Sequence, residues 1–132
     1  MIIGEKTIIH VDDDAEDRAF FREVIEDLNS AFRLVQFADS VSALDYFRQL
    51  KAADLPSLII LDINMPVIDG KLLMKEIKAL PLLSDVPVVL FTTSTSTLDM
   101  VFAKKEKVGF YSKPDNVNRF RELVEEIFQL CR

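Results

Sequence analysis

The side chains best suited to chemistry in this sequence are carboxylates that directly follow short apolar runs. Asp12 and Asp13 come after the run 7–11, and Asp62 comes after the run 58–61. If these runs are parallel strands of one sheet, their carboxyl ends lie at the same edge and the three carboxylates share a crevice. Each pair about 4 Å apart would repel by about 4 kcal/mol at an effective dielectric constant of about 20. Mg²⁺, which binds carboxylate oxygens, phosphate oxygens and water, would relieve this repulsion and is the predicted ion.

Two later apolar runs also end in polar residues that could join this crevice. The run 86–91 leads into Thr92, and the run 109–112 leads into Lys113 and Pro114. We therefore expect any chemistry of this chain to be built mainly from carboxylates, hydroxyls and a lysine.

The elements that must position these groups alternate regularly along the chain. Strands are predicted at 7–11, 34–37, 58–61, 86–91 and 109–112, and each is followed by apolar residues at helical spacing. The third helix carries Leu72 and Leu73, the fourth is indicated by Leu98 and Val101, and the last by Phe120 onward. Five alternating units predict an α/β fold: a doubly wound, five-stranded parallel sheet, (βα)5, with helices on both faces.

Composition excludes several classes of protein. The 132 residues include one cysteine and one histidine, Cys131 and His10, which leaves no thiolate cluster or histidine-rich metal site. Three separated glycines form no phosphate-binding glycine loop. The net charge of −6 argues against a nucleic-acid binder, and the absence of a long apolar run argues against membrane insertion. We expect a single domain spanning 1–132, located in the cytoplasm.

Four motifs together resemble the receiver domain of two-component response regulators, the CheY-like family. They are VDDD, LDINMPVIDG, FTTS and GFYSKP, in that order and at similar spacings, and the resemblance runs from about residue 7 to 131. It implies a flavodoxin/CheY-like sheet with strand order 2-1-3-4-5. The segments VDDDAEDR and TTST are also similar to small regulators paired with bacterial phytochrome kinases.

The resemblance implies a role for each residue at the acidic end of the sheet. Asp62 matches the phosphoacceptor, which attacks a phosphohistidine. Asp13 matches the direct metal ligand, Asp12 its partner that often acts through water, and Asn64 the position whose main-chain carbonyl completes the Mg²⁺ site with Asp62.

Three further residues match the parts of the family's switch. Thr92 resembles the hydroxyl that turns toward the new phosphoryl group, and Lys113 the lysine that pairs with it. Phe110 occupies the aromatic switch position and, lacking a hydroxyl, could change only its packing. The Lys113–Pro114 bond is typically cis in this family. Elementary chemistry agrees with these roles, since phosphoryl transfer depends on positioning and charge neutralisation around one nucleophile.

The function expected from this resemblance is that of a stand-alone response regulator, a phosphoacceptor switch rather than an enzyme acting on other substrates. Its expected partners are a histidine kinase or histidine phosphotransfer protein and a downstream protein, or the next member of a phosphorelay. The switching surface would be helix 4, strand 5 and helix 5, which could alternatively pair two copies as a homodimer.

Other interpretations remain for the same residues. An aspartate-nucleophile phosphatase of the haloacid dehalogenase type also uses Mg²⁺, but it generally has a carboxylate where this chain has Asn64. A receiver-like module could also bind partners without phosphorylation. Singly, Asp12 and Asp13 could cap a helix, Asp62 could open a turn, and Lys113 could be solvated. His10 is expected to be a core histidine, and Asp69 and Gly70 are expected to form a turn and helix cap.

Overall fold

The computed structural model describes residues 6–28 and 32–131 as alternating strands and helices. The strands are β1 (Lys6–Val11), β2 (Phe32–Phe37), β3 (Leu58–Leu61), β4 (Val88–Thr92) and β5 (Gly109–Ser112). The helices are α1 (Ala15–Leu28), α2 (Ser40–Gln49), α3 (Gly70–Lys78), α4 (Thr97–Glu106) and α5 (Val117–Phe128). Two short 3-10 turns, Ala52–Asp54 and Pro81–Leu83, precede β3 and β4.

The five strands form one parallel sheet in the order β2-β1-β3-β4-β5. This confirms the expected doubly wound fold and strand order. Because the strand order reverses between β1 and β3, the carboxyl ends of these two strands border a crevice between their loops. Asp12 and Asp62 stand directly after β1 and β3, and the Asp62 N–H donates to the carbonyl of Val11 over 3.0 Å.

Alternate strand residues pack into two separate cores. Ile9, Ile59 and Leu90 face the layer formed by α2, α3 and α4. Ile8, Ile60 and Phe91 face the layer formed by α1 and α5. Strands buried on both faces explain the nearly continuous apolar runs in the sequence.

The element bounds differ from the sequence prediction where backbone pairing overrides local pattern. Strand β2 begins at Phe32, before the predicted start at 34, because Phe32 pairs with Lys6 of β1. Strand β4 begins at Val88 because Pro87 has no N–H to donate, and it includes Thr92, which pairs with Ser112. Strands β3 and β5 have the predicted bounds.

Helix α4 presents most of its large apolar residues to solvent. Leu98 and Val101, which indicated this helix in the sequence, are 78% and 58% exposed, and its buried residues are Asp99 and Ala103. The helix therefore leaves an uncovered apolar surface. No helix in the described part of the chain is long and apolar enough to cross a bilayer.

The loop after β3 is held to the start of α3 by a close backbone approach at Gly70. Its N–H donates to the Ile63 carbonyl over 2.9 Å, and the preceding Asp69 caps α3 by accepting from the Leu72 N–H over 2.9 Å. A methyl group at position 70 would overlap the carbonyl oxygen of Asp62 and lie 2.7 Å from the Ile63 Cα. The turn and cap expected of Asp69 and Gly70 is confirmed, and glycine is needed here because backbone occupies the space of a side chain.

We predict that Gly70→Ala lowers the free energy of unfolding by about 1–3 kcal/mol, since neither backbone segment can move freely away from the added methyl group. Urea unfolding measures this loss. Gly109→Ala is the matched control, because its methyl group would first meet the Val89 Cγ2 at 3.2 Å, a side-chain atom. Equal losses in the two variants would contradict the proposed contact at Gly70.

Candidate functional site

Three carboxylates converge at the carboxyl ends of β1 and β3. One oxygen each of Asp12, Asp13 and Asp62 can be chosen so that all lie within 4.8 Å of one another. Asp12 and Asp62 are buried, whereas Asp13 is exposed. No hydrogen bond among the described residues uses the Asp13 carboxylate, so it is free to bind a ligand from solvent. The sequence prediction that these three side chains share one crevice is confirmed.

Lys113 enters this cluster from the end of β5. Its Nζ lies 2.7 Å from Asp12 Oδ2 and 3.4 Å from Asp62 Oδ2, and its side chain is 5% exposed. The backbone helps to hold it, since the Lys113 N–H donates to the Thr92 carbonyl over 2.8 Å. The lysine therefore neutralises part of the negative charge of the clustered carboxylates. The alternative that it is a solvated surface lysine is wrong.

A fourth carboxylate, Asp17, completes the contacts of this lysine. Asp17 Oδ2 lies 2.7 Å from Lys113 Nζ, as close as Asp12. Sequence reasoning missed this role, because Asp17 was an acidic residue in the first turn of α1, where any anion is favourable. Its place in the first turn of the helix that follows β1 was the available signal, because that turn starts only four residues after the end of the strand.

His10 lies buried beneath the cluster, as expected of a core histidine. Its ring stacks on Phe21 at 3.8 Å between centroids, and its Nε2 lies 3.6 Å from Asp12 Oδ2. Gln36 Nε2 donates to the Arg18 carbonyl over 2.8 Å and lies 3.1 Å from His10 Nδ1. An amide donor at Nδ1 favours the tautomer that has its proton on Nε2, facing Asp12. Burial lowers the pKa of His10, which favours the neutral ring.

Thr92 and Phe110 lie on the neighbouring strands. Thr92 is fully buried at the end of β4, and its Oγ1 accepts from the Ser94 N–H over 3.2 Å. Phe110 is the β5 residue that pairs with Leu90 of β4. Its ring is half-buried and packs against the core beneath α2, α3 and α4. The described residues contain no cis peptide bond, so the expectation of a cis bond before Pro114 is wrong. The trans form is the one that a prolyl bond ordinarily prefers, by about 0.5–1 kcal/mol.

The pKa values of the two buried carboxyl groups, Asp62 and Asp12, are shifted in opposite directions. Burial raises the pKa of Asp62, with Lys113 opposing and Asp12 adding to the rise. Burial also acts to raise the pKa of Asp12, but contacts with His10 and Lys113 outweigh it and lower the pKa to about 2. Burial alone would lower the pKa of Lys113, yet the surrounding carboxylates raise it above its ordinary value. The lysine is therefore charged, and its closest contacts are with Asp12 and Asp17.

Comparison with known proteins agrees with this geometry. Residues 8–125 match the response regulator receiver domain. The chain belongs to this family. As a receiver domain it is a signalling protein, of a kind that interacts with histidine kinases or phosphotransfer proteins and with downstream targets.

Three relatives show how far the likeness of this receiver domain extends. It is 30% identical over 126 residues to the response regulator Rcp1 of Synechocystis, covering 92% of this chain and 86% of the relative. A phosphorylated cyanobacterial phytochrome response regulator, RcpA, superposes with a TM-score of 0.87 at 30% identity, covering 97% and 94% of the two chains. The Mn²⁺-bound form of Rcp1 gives a TM-score of 0.84 at 29% identity, covering 92% and 91%.

The donor set of the receiver domain fits a divalent cation. The three clustered carboxylates supply hard oxygen atoms, and the exposed Asp13 leaves the cluster open to solvent. Asn64, placed by the resemblance at the metal, lies in the exposed loop two residues after Asp62, and its carbonyl takes part in no hydrogen bond among the described residues. Such oxygen ligands suit Mg²⁺, Mn²⁺ or Ca²⁺ better than soft metals.

We predict that Asp62→Asn stabilises the metal-free receiver domain at pH 7. Because the folded-state pKa of Asp62 is raised, the folded protein loses stability when this carboxyl ionises, and the amide removes that loss. The stabilisation should shrink as pH falls from above the raised pKa toward 3.8, where wild type binds the proton too. Urea unfolding in a chelator at pH 7 and pH 4 measures both effects.

Asp12→Asn serves as the opposite control. The pKa of Asp12 is lowered, so its charge contributes stability that is present above about pH 4 and lost toward pH 2. Removing it leaves the ammonium of Lys113 with one close carboxylate, and we expect a loss of about 1–3 kcal/mol at pH 7. Destabilisation by both substitutions would contradict the assignment of the two pKa shifts.

Proposed function

We propose that this protein is a phosphoacceptor switch in which Asp62 accepts a phosphoryl group from a phosphohistidine. The observation that carries the proposal is the position of Asp62, a buried carboxylate with Lys113 Nζ at 3.4 Å and the Asp12 and Asp13 carboxylates beside it. Transfer of negative charge onto such a carboxylate needs nearby positive charge and fixed geometry, and this crevice supplies both.

In the proposed transfer, an Asp62 oxygen attacks the phosphorus while the bond from phosphorus to the donor histidine nitrogen breaks. The product is an acyl phosphate on Asp62, and the released imidazole takes up a proton. The Asn64 N–H lies 3.4 Å from Asp62 Oδ1 and helps to orient the nucleophile. Lys113 is placed to bind the phosphoryl oxygens as charge moves onto them.

Asp12, Asp13, Asp62 and the main-chain carbonyl of Asn64 would hold the divalent cation of this reaction, proposed to be Mg²⁺. When bound, the cation would neutralise charge on the phosphoryl oxygens. The Mn²⁺-bound form of the relative Rcp1 supports a divalent site. The site is open to solvent at Asp13, which is exposed. Asp12, in contrast, is already paired with Lys113.

The proposed switch uses Thr92, Lys113 and Phe110. Phosphorylation adds acceptor oxygens that attract the Thr92 hydroxyl and the Lys113 ammonium. Thr92 would then leave the Ser94 N–H, and β5 would shift with Lys113, changing the packing of Phe110 against the core. The sequence likeness to RcpA makes a phytochrome-type kinase the first donor to test.

The proposed output surface is the face formed by α4, β5 and α5. Leu98 and Val101 on α4 are 78% and 58% exposed and form an apolar surface suited to a protein partner. Val117, at the start of α5, is also 66% exposed. The net charge of −6 disfavours nucleic acid as the partner. A second copy of the chain is the alternative occupant, and sedimentation before and after phosphorylation distinguishes a homodimer from a free monomer.

The phosphatase alternative lacks the group that it would need. A general acid two residues beyond the nucleophile would fall at Asn64, whose amide cannot donate a catalytic proton. A module that binds partners without phosphorylation would leave the convergence of three carboxylates on Lys113 without a chemical role. The phosphorylation assay below separates this second alternative from the proposed switch.

We predict that wild type gains one acid-stable, base-labile phosphoryl group from acetyl phosphate with Mg²⁺, and that Asp62→Asn gains none. The amide keeps the shape of the side chain but is not a nucleophile. Mass spectrometry of the intact chain measures the gain. Asp54→Asn, the same charge change on an exposed carboxylate of the turn before β3, should label like wild type. Full labelling of Asp62→Asn would overturn the proposal.

We predict that Asp13→Asn weakens Mg²⁺ binding by at least about tenfold, since a direct carboxylate ligand becomes a neutral amide. Isothermal titration calorimetry or NMR shifts measure the affinity, because the chain has no tryptophan. Asp14→Asn is the matched control: its carboxylate caps α1 by accepting from the Glu16 N–H over 2.9 Å, and asparagine can still cap. Equal weakening by the two substitutions would show a general charge effect and exclude Asp13 as a ligand.

A further inference from the structure

The ammonium of Lys113 is held on one side of the crevice by a residue outside the proposed transfer machinery. Its distances to the Oδ2 atoms of Asp12, Asp17 and Asp62 are 2.7, 2.7 and 3.4 Å. Three N–H donors on one ammonium can serve three acceptors, but the two short contacts draw Lys113 toward the start of α1. In the protein without a phosphoryl group, Lys113 is therefore closer to Asp17 than to the proposed acceptor.

The two close partners of Lys113 differ in how easily they can release it. The Asp12 side chain is 1% exposed, so losing Lys113 would leave a buried charge without its partner. The Asp17 side chain is 21% exposed and lies in the first turn of α1, where water and the helix N-terminus both stabilise an anion. When Lys113 moves toward new oxygens on Asp62, the contact with Asp17 is the one that can break at low cost.

We infer that Asp17 is a positioning residue that holds Lys113 away from Asp62 until phosphorylation draws the lysine across. Asp17 does not touch the reacting atoms in this role. It sets how readily Lys113 binds the phosphoryl group, because each engagement must replace the Asp17–Lys113 ion pair. The inference rests on the proposed phosphoacceptor role of Asp62.

The test compares binding of the phosphate mimic beryllofluoride, at saturating Mg²⁺, in the full chain and its variants. Amide NMR shifts across residues 86–113 report the half-saturating concentration. Asp17→Asn should lower it about three- to tenfold, since the ion pair that competes for Lys113 is lost. Asp17→Glu, which keeps the charge, should restore a value closer to wild type.

A matched control separates this role from general electrostatics. Glu16→Gln makes the same charge change in the same turn, on an exposed side chain that has no contact with Lys113 among the described residues. Its half-saturating concentration should stay within about twofold of wild type. In a Lys113→Ala background, Asp17→Asn should change the value by less than about twofold, because the two residues act as a pair.

Failure of the role inferred for Asp17 can be distinguished from failure of the phosphoacceptor role proposed for Asp62. If wild type shows no response to beryllofluoride, the proposed function fails and this inference with it. If wild type responds and Asp17→Asn responds at the same concentration, or if Glu16→Gln shifts equally, the role of Asp17 alone is overturned. Circular dichroism checks that each variant is folded, and Asp17→Ser, another favourable residue near a helix start, gives the same readout should the asparagine variant unfold.

Discussion

The ammonium of Lys113 among its carboxylates is the interaction on which the arrangement of this site depends. It contacts Asp12 at the end of β1, Asp17 at the start of α1 and Asp62 at the end of β3. These residues lie 101, 96 and 51 positions away from Lys113 in the sequence. Without it, buried Asp12 and Asp62 would face each other in a crevice whose floor includes the Phe91 ring, 5.9 Å from Nζ. A low-dielectric floor strengthens both the repulsion between carboxylates and their attraction to the lysine. The ammonium of Lys113 therefore links the ends of β1, β3 and β5 and the start of α1 around the candidate acceptor, Asp62.

A second polar network connects the end of β4 to the exposed helix α4. The Ser94 N–H donates to Thr92 Oγ1 over 3.2 Å, and the Ser94 hydroxyl donates to Asp99 Oδ2 over 2.5 Å. Lys71 Nζ, at the start of α3, lies 2.7 Å from Asp99 Oδ1. Asp99 is buried although it belongs to the most exposed helix. Ser94 therefore ties the start of α4 to the loop after β4, and Lys71 ties it to α3. A displaced Thr92 would lose its bond to Ser94 and so act directly on that attachment.

Most of the fold and the cluster of three carboxylates could be predicted, because the local sequence pattern predicts the strands and parallel topology brings their ends together. Apolar runs that end in acidic or hydroxylated residues predicted the strands, and parallel topology brought Asp12, Asp13 and Asp62 together. The motif around Asp69 and Gly70 predicted a turn, but its close contact with the Asp62 carbonyl depends on backbone folded back from α3. Strand starts were less predictable, since Phe32 joins β2 only because Lys6 lies opposite.

The class of fold, the crevice and the types of side chain in it follow from the amino-acid pattern alone, because hydrophobic period and strand-end chemistry are local properties. How those side chains pair depends on the packing of the elements. Asp17 contacts Lys113 because the first turn of α1 packs beside the end of β5. Leu98 and Val101 face solvent because Asp99 and Ala103 occupy the buried side of α4. Which carboxylate a lysine approaches, and which face of a short helix is covered, depend on distances of a few ångströms between elements far apart in sequence. No local pattern encodes such distances, so they are settled only when the elements pack.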